Sequence, residues 1–171
     1  MKKTIVKITC LMVLLVLTAC SIDSSEDEAS IKILAGNQEI HAITYDGEDI
    51  QTIKEFEEIH HMELKNNSWD DLPYIPLNET IEINNLNVTE LVIEDYILNK
   101  NGNLKYAEDV VESYTIPVSN GKASFKLQMN GAEFFSSNSD DYLPGNTIRG
   151  FIVHSNSTPI FSFILRTDPS D

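Results

Sequence analysis

The clearest β-hairpin signal in the sequence lies in SYTIPVSNGKASFKLQM, Ser113 to Met129. Asn120-Gly121 is the dipeptide that two-residue type I′ turns prefer, because both central residues of such a turn need positive φ. After the turn, apolar and polar residues alternate, as in a strand with one buried face and one solvated face. The apolar set is Ala123, Phe125, Leu127 and Met129. The stretch therefore predicts an antiparallel hairpin whose second arm turns this set toward a core.

Strand and turn signals of the same kind recur on both sides of this hairpin. Pro117 has no backbone N–H, so the first arm of the hairpin is predicted to be an edge strand or to be bulged. Earlier in the chain, IKILA and QEIHAITY flank Gly36-Asn37, which predicts another two-residue hairpin. ETIEIN alternates between polar and apolar residues, and TELVIEDYIL is a longer apolar run that ends at Leu98.

Two further strands are predicted in TIRGFIVHSNSTPIFSFILR, Thr147 to Arg166, on either side of Asn156-Ser157. Apolar residues occupy both alternating sets in each arm. This pattern predicts strands covered on both faces, or a twist that partly wraps them. Gly150 inside the first arm predicts a bulge or a close approach of another backbone segment.

The number and spacing of these segments predict the fold class. They amount to about seven to eight strands at the spacing of a sandwich, so residues 31–171 are expected to form a single immunoglobulin-like antiparallel β-sandwich. The Cys…Trp…Cys pattern of true immunoglobulin domains is absent, so the prediction concerns the architecture and not that family. One short helix is predicted near residues 52–63, where Ile53, Phe56 and Ile59 recur at helical spacing. Two short strand pieces are the alternative for this segment.

The first twenty residues have the character of an export signal. The chain opens with basic residues, and the uncharged run from Ile8 to Ile22 is 15 residues long. A membrane-spanning helix needs roughly 18 or more. A basic start, a short apolar middle and small residues before a break are typical of a secretory signal peptide rather than of a transmembrane anchor.

The end of this segment, Leu17-Thr18-Ala19-Cys20, resembles the lipobox of bacterial lipoproteins. The resemblance covers residues 1–20 only. It implies that residues 1–19 are a signal peptide, that Cys20 carries a diacylglycerol, and that the protein is anchored on the extracytoplasmic face of the cell membrane of a bacterium. The other cysteine, Cys10, would be lost with the signal peptide, so no internal disulfide is expected.

Residues 20–30 are predicted to be a lipidated cysteine followed by a flexible acidic tether. SIDSSEDEAS is too polar to bury a core. A calcium site is a less favoured interpretation, because no ligand spacing is fixed. The whole chain has a formal charge of −15, and removal of a signal peptide with three lysines and no acid would take it to −18. Such a charge excludes binding to nucleic acid through phosphates and disfavours an anionic lipid surface.

Two loops contain candidate recognition residues. SWDDLPYIPL holds the only tryptophan, Trp69, together with Tyr74. SSNSDDYLPGN holds Tyr142. Aromatic residues on loops are typical of recognition surfaces. The competing interpretation is that Trp69 and Tyr74 cap the sandwich and pack against its core, and that the second loop is a plain connection, although it could also bind a cation or a glycan.

The histidines invite a metal interpretation, which the spacing does not support. His60-His61 lies among glutamates, but adjacent side chains point about 100° apart on a helix. His41 and His154 are distant in sequence, and no H-E-x-x-H motif is present. We therefore expect exposed polar histidines, with no metal and no cofactor.

Catalytic motifs such as G-x-S-x-G and the P-loop are absent from the sequence. The expected function is therefore that of a membrane-anchored binding module displayed at the cell surface, not an enzyme. Its expected partners are the membrane, through the lipid on Cys20, and an envelope or extracellular protein or glycan. The alternative is an envelope hydrolase or metal-binding protein that uses carboxylates or histidines on the same β scaffold.

Overall fold

The strands of the chain form two antiparallel sheets. The computed structural model describes residues 30–45, 52–66 and 68–169; Cys20, the predicted signal peptide and nearly all of the predicted tether lie outside these ranges. The strands are β1 (Lys32–Ala35), β2 (Gln38–Ile40), β3 (Ile43–Thr44), β4 (Thr80–Asn84), β5 (Glu90–Leu98), β6 (Glu112–Pro117), β7 (Lys122–Lys126), β8 (Thr147–Ser155) and β9 (Thr158–Thr167). One helix, α1 (Ile53–Asn66), and three 3₁₀ turns, Trp69–Asp71, Gly131–Phe135 and Ser139–Tyr142, complete the described elements.

The predicted β-sandwich is confirmed. One sheet has the strand order β2-β1-β4-β7 and the other the order β3-β9-β8-β5-β6. The inward faces of both sheets contribute to one buried apolar cluster. Its central members are Ile33, Ile81, Ile83, Phe125, Leu91, Ile93, Phe151, Phe163 and Leu165. Burial of this set supplies most of the apolar driving force that holds the sheets together. The described part of the chain has nine strands, more than expected, because short pieces such as β3 also pair.

The quoted hairpin has the predicted turn but not the predicted ladder. Asn120 and Gly121 both have positive φ, 53° and 72°, and Ser119 and Lys122 exchange backbone hydrogen bonds of 2.8 and 3.1 Å. Beyond this pair the arms separate, since β6 joins the five-stranded sheet and β7 the four-stranded sheet. The next pair of ladder bonds would need an N–H from Pro117, which has none. The proline thus ends the hairpin and leaves β6 as an edge strand, as predicted.

The apolar alternation in β7 is confirmed for all but its last member. Ala123, Phe125 and Leu127 are buried, whereas Met129 is 42% exposed. The expectation that Met129 faces the core is wrong because β7 ends at Lys126. Past that residue the chain leaves the sheet, and the two-residue alternation of a strand no longer decides which way a side chain points.

Helix α1 covers the outer face of the five-stranded sheet and forms a third layer. Thr52 and Glu55 form a reciprocal capping pair before its first turn, with bonds of 2.9 and 3.4 Å. A second apolar cluster fills the space between helix and sheet and comprises Phe56, Leu64, Leu72, Tyr96, Leu98, Ile148, Ile152 and Ile164. The helix is confirmed and extends three residues past the predicted segment. It also explains why β8 and β9 are apolar on both faces.

Gly150 lies where the helix approaches the sheet most closely. A Cβ atom at this position would lie 2.7 Å from Leu98 Cδ1 and 2.8 Å from Phe56 Cζ. Both neighbours are buried, so neither can move aside freely. The structure thus places neither the predicted bulge nor another backbone at Gly150: the nearest atoms belong to the side chains of Leu98 and Phe56, and the bulge of β8 lies between Val153 and His154.

We expect Gly150→Ala to lower the free energy of unfolding by about 1–3 kcal/mol, because the added methyl group overpacks a filled interior. Chemical denaturation followed by circular dichroism would measure the change. Ser124→Ala, on the exposed face of β7, is the matched control and should alter stability by less than about 0.5 kcal/mol. Equal stability of the two variants would show that the contact of the helix with Gly150 is loose.

Candidate functional site

The strand registers separate two ends of the sandwich. Lys32, Asn84 and Lys122 lie side by side where β1 begins; we call this the amino-terminal end. The Ser119–Lys122 turn lies there too and links the two sheets. The opposite end, where β5 and β9 finish, carries the connections formed by residues 68–79, 99–111 and 127–146. We call this the loop end.

Exposed apolar side chains concentrate at the loop end. In the described ranges seven large hydrophobic residues are exposed, and six of them lie on these connections: Tyr74, Met129, Phe134, Phe135, Tyr142 and Leu143. The seventh, Met62, lies on helix α1. Exposed apolar residues scattered singly are ordinary, whereas a cluster at one end is typical of an interaction surface.

The 3₁₀ turn Gly131–Phe135 is fixed to the sandwich by hydrogen bonds at its start. The Asn130 side chain is 1% exposed. It accepts a bond of 2.9 Å from Ala132 N–H and donates one of 3.1 Å to the Asp95 carbonyl. Gly131 N–H donates to Glu112 Oε1 at 2.7 Å. Phe134 and Phe135 therefore project from a turn with a held base rather than from a free loop.

A buried ion pair lies beneath this turn. Arg149 on β8 and Asp95 on β5 are each 1% exposed. The guanidinium donates from Nε to Asp95 Oδ1 at 3.0 Å and from Nη2 to Oδ2, and its Nη1 donates to the Gln128 carbonyl. Burial raises the pKa of the Asp95 carboxyl, and the charge and hydrogen bonds of Arg149 oppose that rise. The pair ties both central strands to the start of the loop.

Tyr142 and Phe135 lie on the same connection, and each has a local contact that holds it. The Tyr142 hydroxyl donates to the Ser136 carbonyl at 2.7 Å, and the Phe135 ring meets the half-buried Tyr106 ring edge-on, with 5.8 Å between centroids. Lys105 Nζ lies 2.6 Å from Asp141 Oδ2 and holds this loop against residues 99–111. We call Phe134, Phe135, Tyr142 and Leu143 the aromatic tip.

Tyr74 also lies at the loop end, whereas Trp69 has a packing role. The Tyr74 ring contacts the Gly145 segment, and its hydroxyl donates to Asp168, which raises the pKa of Tyr74. Trp69 is half-buried against the cluster under helix α1. Lys100 Nζ lies 3.8 Å from the Trp69 ring centroid and covers one of its faces. Of the three predicted recognition residues, the structure thus places Tyr74 and Tyr142 at the exposed surface and Trp69 in a supporting position.

Sequence reasoning missed Phe134 and Phe135. They occur in GAEFFSSNS, where two adjacent aromatic residues stand in an otherwise small and polar connection. That isolation is the signal that could have found them, since adjacent side chains on a short turn cannot both face a core. A polar cleft of about 320 Å³ also lies at the loop end, and its lining includes Asn99, Lys100, Asn138, Asp140 and Asn146.

The polar groups of this cleft are largely used within the loops themselves. Asn99 Oδ1 accepts from Asn101 N–H at 2.8 Å, and Asn138 Oδ1 accepts from Asp140 N–H at 3.2 Å. Asn146 Nδ2 donates to the Asp140 carbonyl at 2.7 Å. These bonds shape the turns, so the cleft offers a ligand few ready partners and is a weaker candidate than the aromatic tip.

The structure corrects the expectation that the histidines are exposed. His60 is fully buried under helix α1; its Nε2 lies 2.9 Å from Ser162 Oγ, and its ring meets Phe56 edge-on at 4.4 Å. Ser162 is also fully buried and bonds the Tyr45 hydroxyl. Both members of the Nε2–Oγ pair are fully buried, so the contact serves the packing of the helix on the sheet. The helix turns His60 toward the sheet, which the sequence pattern alone did not reveal.

The other histidines lie apart from His60. His61 is exposed and its Nδ1 lies 2.8 Å from the Asn101 carbonyl. His154 Nε2 lies 3.2 Å from Glu94 Oε2 on the neighbouring strand, and His41 is exposed near β2. Among the residues that the structure describes, no three histidine, cysteine or acidic side chains form a group suited to a metal ion.

Comparison with known proteins adds no family to this geometry. No protein-family model matches the chain, and a search of curated proteins found no match either. In the described ranges, no helix combines the length and the apolar character needed to cross a bilayer.

The buried ion pair gives a stability prediction. Arg149→Met should lower the free energy of unfolding by about 3–5 kcal/mol, because it leaves the Asp95 carboxyl buried without its partner. Urea denaturation at neutral pH would measure this. The control is Lys32→Met, which removes an exposed pair to Glu39 at 3.5 Å and should change stability by less than about 1 kcal/mol. Similar small effects in both variants would contradict the assigned role of Arg149.

His60 gives a pH prediction. Burial lowers the pKa of His60 from 6.5 to about 4, so the folded protein favours the neutral ring. The stabilising effect is complete above pH 6.5 and is lost as the pH falls from 6.5 toward 4, where the unfolded chain binds the extra proton. The lowered pKa corresponds to a loss of about 3 kcal/mol in the free energy of unfolding between pH 6.5 and pH 4.

The measurement is urea denaturation at pH 7 and pH 4 for the wild type, His60→Gln and His61→Gln. We expect His60→Gln to lose about 3 kcal/mol less between the two pH values than the wild type does. His61→Gln, which alters the exposed neighbour, should follow the wild type. Identical pH dependence in all three proteins would show that the folded protein binds a proton at His60 as readily as the unfolded chain does, and this would contradict a lowered pKa.

Proposed function

We propose that the protein is a lipid-anchored, extracytoplasmic binding module of a bacterial cell, attached through Cys20 and binding its partner through the loop end. The anchor part of this proposal rests on the basic start, the 15-residue uncharged run and the Leu17-Thr18-Ala19-Cys20 box. Two acyl chains on one cysteine would suffice for stable attachment, because a single chain gives only marginal membrane residence.

The binding part of the proposal rests on the fact that the exposed apolar side chains lie at the end of the sandwich opposite to the start of β1. The chain enters β1 at the amino-terminal end, and the exposed apolar side chains lie at the loop end. A tether formed by residues 20–30 would reach at most about 35 Å when extended. It would therefore join the domain at the end opposite to the aromatic tip, so the point of attachment would leave the tip uncovered.

The character of the loop end supports binding rather than catalysis. Its exposed groups are aromatic and aliphatic, and the turn that presents Phe134 and Phe135 is held by the buried side chain of Asn130. A surface that is already ordered loses little conformational freedom when a partner binds, which favours affinity. Display on a rigid sandwich at the end of a flexible tether is the corresponding mechanism.

The anchor is tested by Cys20→Ser in the full chain expressed in a bacterium. We expect the wild-type protein to partition into the detergent phase and to have the mass of a chain that starts at Cys20 with lipid attached. Cys20→Ser should lose the lipid mass and the partitioning. Cys10→Ser is the matched control, because Cys10 would be removed with the signal peptide, and it should behave as the wild type does.

Two results would overturn the anchor. One is a Cys20→Ser protein that still partitions into detergent with the same processed mass as the wild type. The other is a wild-type protein whose mass retains residues 1–19. Either result would contradict the lipid anchor and would leave the proposed binding role of the loop end to be tested separately.

A further inference from the structure

We propose that the aromatic tip is the docking surface for a cationic protein segment that carries aliphatic or aromatic side chains. This inference rests on the proposed binding function and names the chemistry of the partner. The exposed fractions are 56% for Phe134, 65% for Phe135, 39% for Tyr142 and 52% for Leu143. If a large apolar side chain presents about 200 Å² when fully exposed, these four residues together leave roughly 400 Å² uncovered.

The charges around the tip select the sign of the partner. The connection formed by residues 127–146 holds three acidic residues, Glu133, Asp140 and Asp141, and no lysine or arginine. The neighbouring connection, residues 68–79, likewise holds three acidic residues and no basic residue. Within these connections Glu133 is buried, and Asp141 is paired with Lys105. The third connection, residues 99–111, holds two lysines, Lys100 and Lys105, and two acidic residues. The three connections together therefore have six more acidic than basic residues. Complementarity across an interface therefore favours a partner with lysine or arginine beside its apolar groups.

The same charges disfavour other occupants. An anionic lipid surface would be repelled by the acidic loops, and by the net negative charge of the whole chain. A second copy of this chain would bring like charges together around the tip, which costs affinity. A glycan would use hydroxyl-bonding groups, yet the amide side chains near the tip are engaged within the loops. A cationic, apolar protein segment satisfies both features of the surface.

The order of the tip favours an anchoring role for Phe134 and Phe135. Both project from the 3₁₀ turn whose base is bonded to Asp95 and Glu112. Aromatic side chains on a rigid support supply a large contact area at a small entropic cost. Interfaces concentrate their binding energy in a few residues of this kind. We therefore place the energetic centre of the docking surface at these two residues.

The test is a peptide titration on the full protein in nanodiscs of zwitterionic lipid, with empty nanodiscs as the reference. Three 14-residue probes are used: an amphipathic Lys/Leu peptide, its Glu/Leu counterpart and a Lys/Ser peptide without apolar side chains. The expected result is saturable binding of the Lys/Leu peptide, weakened by salt, with at least about tenfold weaker binding of the other two.

Variants locate the binding surface. Phe134→Ser/Phe135→Ser should weaken binding of the Lys/Leu peptide by about tenfold or more without lowering the melting temperature, because both rings are exposed. Met62→Ser, which removes the exposed apolar residue of helix α1, is the matched control and should leave binding unchanged. Because the titration does not depend on lipidation, a non-lipidated protein recovered from the soluble fraction is titrated with the same peptides, which separates a failure of the anchor from a failure of the docking surface.

Several outcomes would overturn the inference. Equal binding of the Lys/Ser peptide would show simple charge attraction, and equal binding of the Glu/Leu peptide would remove the argument from charge. Unchanged binding in the double phenylalanine variant would place the surface elsewhere. Binding to anionic vesicles that this variant abolishes would assign the tip to a membrane, and a concentration-dependent dimer that it abolishes would assign the tip to a second copy of the chain.

Discussion

The ion pair between Arg149 and Asp95 is the interaction on which the arrangement of the loop end depends. It joins β8, the central strand of the five-stranded sheet, to the neighbouring strand β5. Arg149 also donates to the Gln128 carbonyl, which lies just past the end of β7 in the other sheet. Removing two charges from water is costly, and the attraction between them repays the cost only when further hydrogen bonds satisfy both groups. Here the Gln128 carbonyl accepts a further bond from the guanidinium, and Asn130 donates to the backbone carbonyl of Asp95. Residues 128–130 are therefore held beside the ion pair.

Helix α1 imposes the second constraint, because it covers the face of the five-stranded sheet that would otherwise meet water. Phe56 and His60 fill the space between the two layers. Gly150 leaves room for the Phe56 and Leu98 side chains, and burial lowers the pKa of His60 to about 4, which keeps its ring neutral near pH 7. The sheet that holds the ion pair is thus covered on both faces, and its central strands cannot shift without disturbing either the sandwich core or the helix.

These two constraints leave the loop end rigid at its base and open at its tip. Phe134 and Phe135 are exposed because the turn beneath them is already satisfied by Asn130 and Glu112, and no described element lies over them. The proposed function uses this division: the amino-terminal end would receive the tether, the sandwich would supply rigidity, and the acidic loops would select the charge of the partner. The apolar area of the tip would then supply most of the affinity.

Much of the fold follows from local patterns in the sequence. The positive-φ turns at Asn120-Gly121 and Asn156-Ser157, the alternation of β7, the edge position of Pro117 and the helix after Thr52 were all predictable, because each depends on residues within one turn or one strand. The apolar character of both faces of β8 and β9 also predicted a covering layer. At the site, the aromatic residues Tyr74 and Tyr142 were predictable as loop residues, but not their position relative to the core.

Backbone torsion preferences and residue periodicity act locally, so the sequence alone indicates the set of elements, their turns and most of their buried faces. The tertiary structure alone decided that the arms of the Asn120-Gly121 hairpin enter different sheets, that His60 is buried while His61 is exposed, and that Phe134 and Phe135 remain uncovered. Each of these outcomes depends on contacts between residues far apart in the chain, such as Arg149 with Asp95 and His60 with Ser162. Their partners are chosen by the packing of whole layers, which no local pattern encodes.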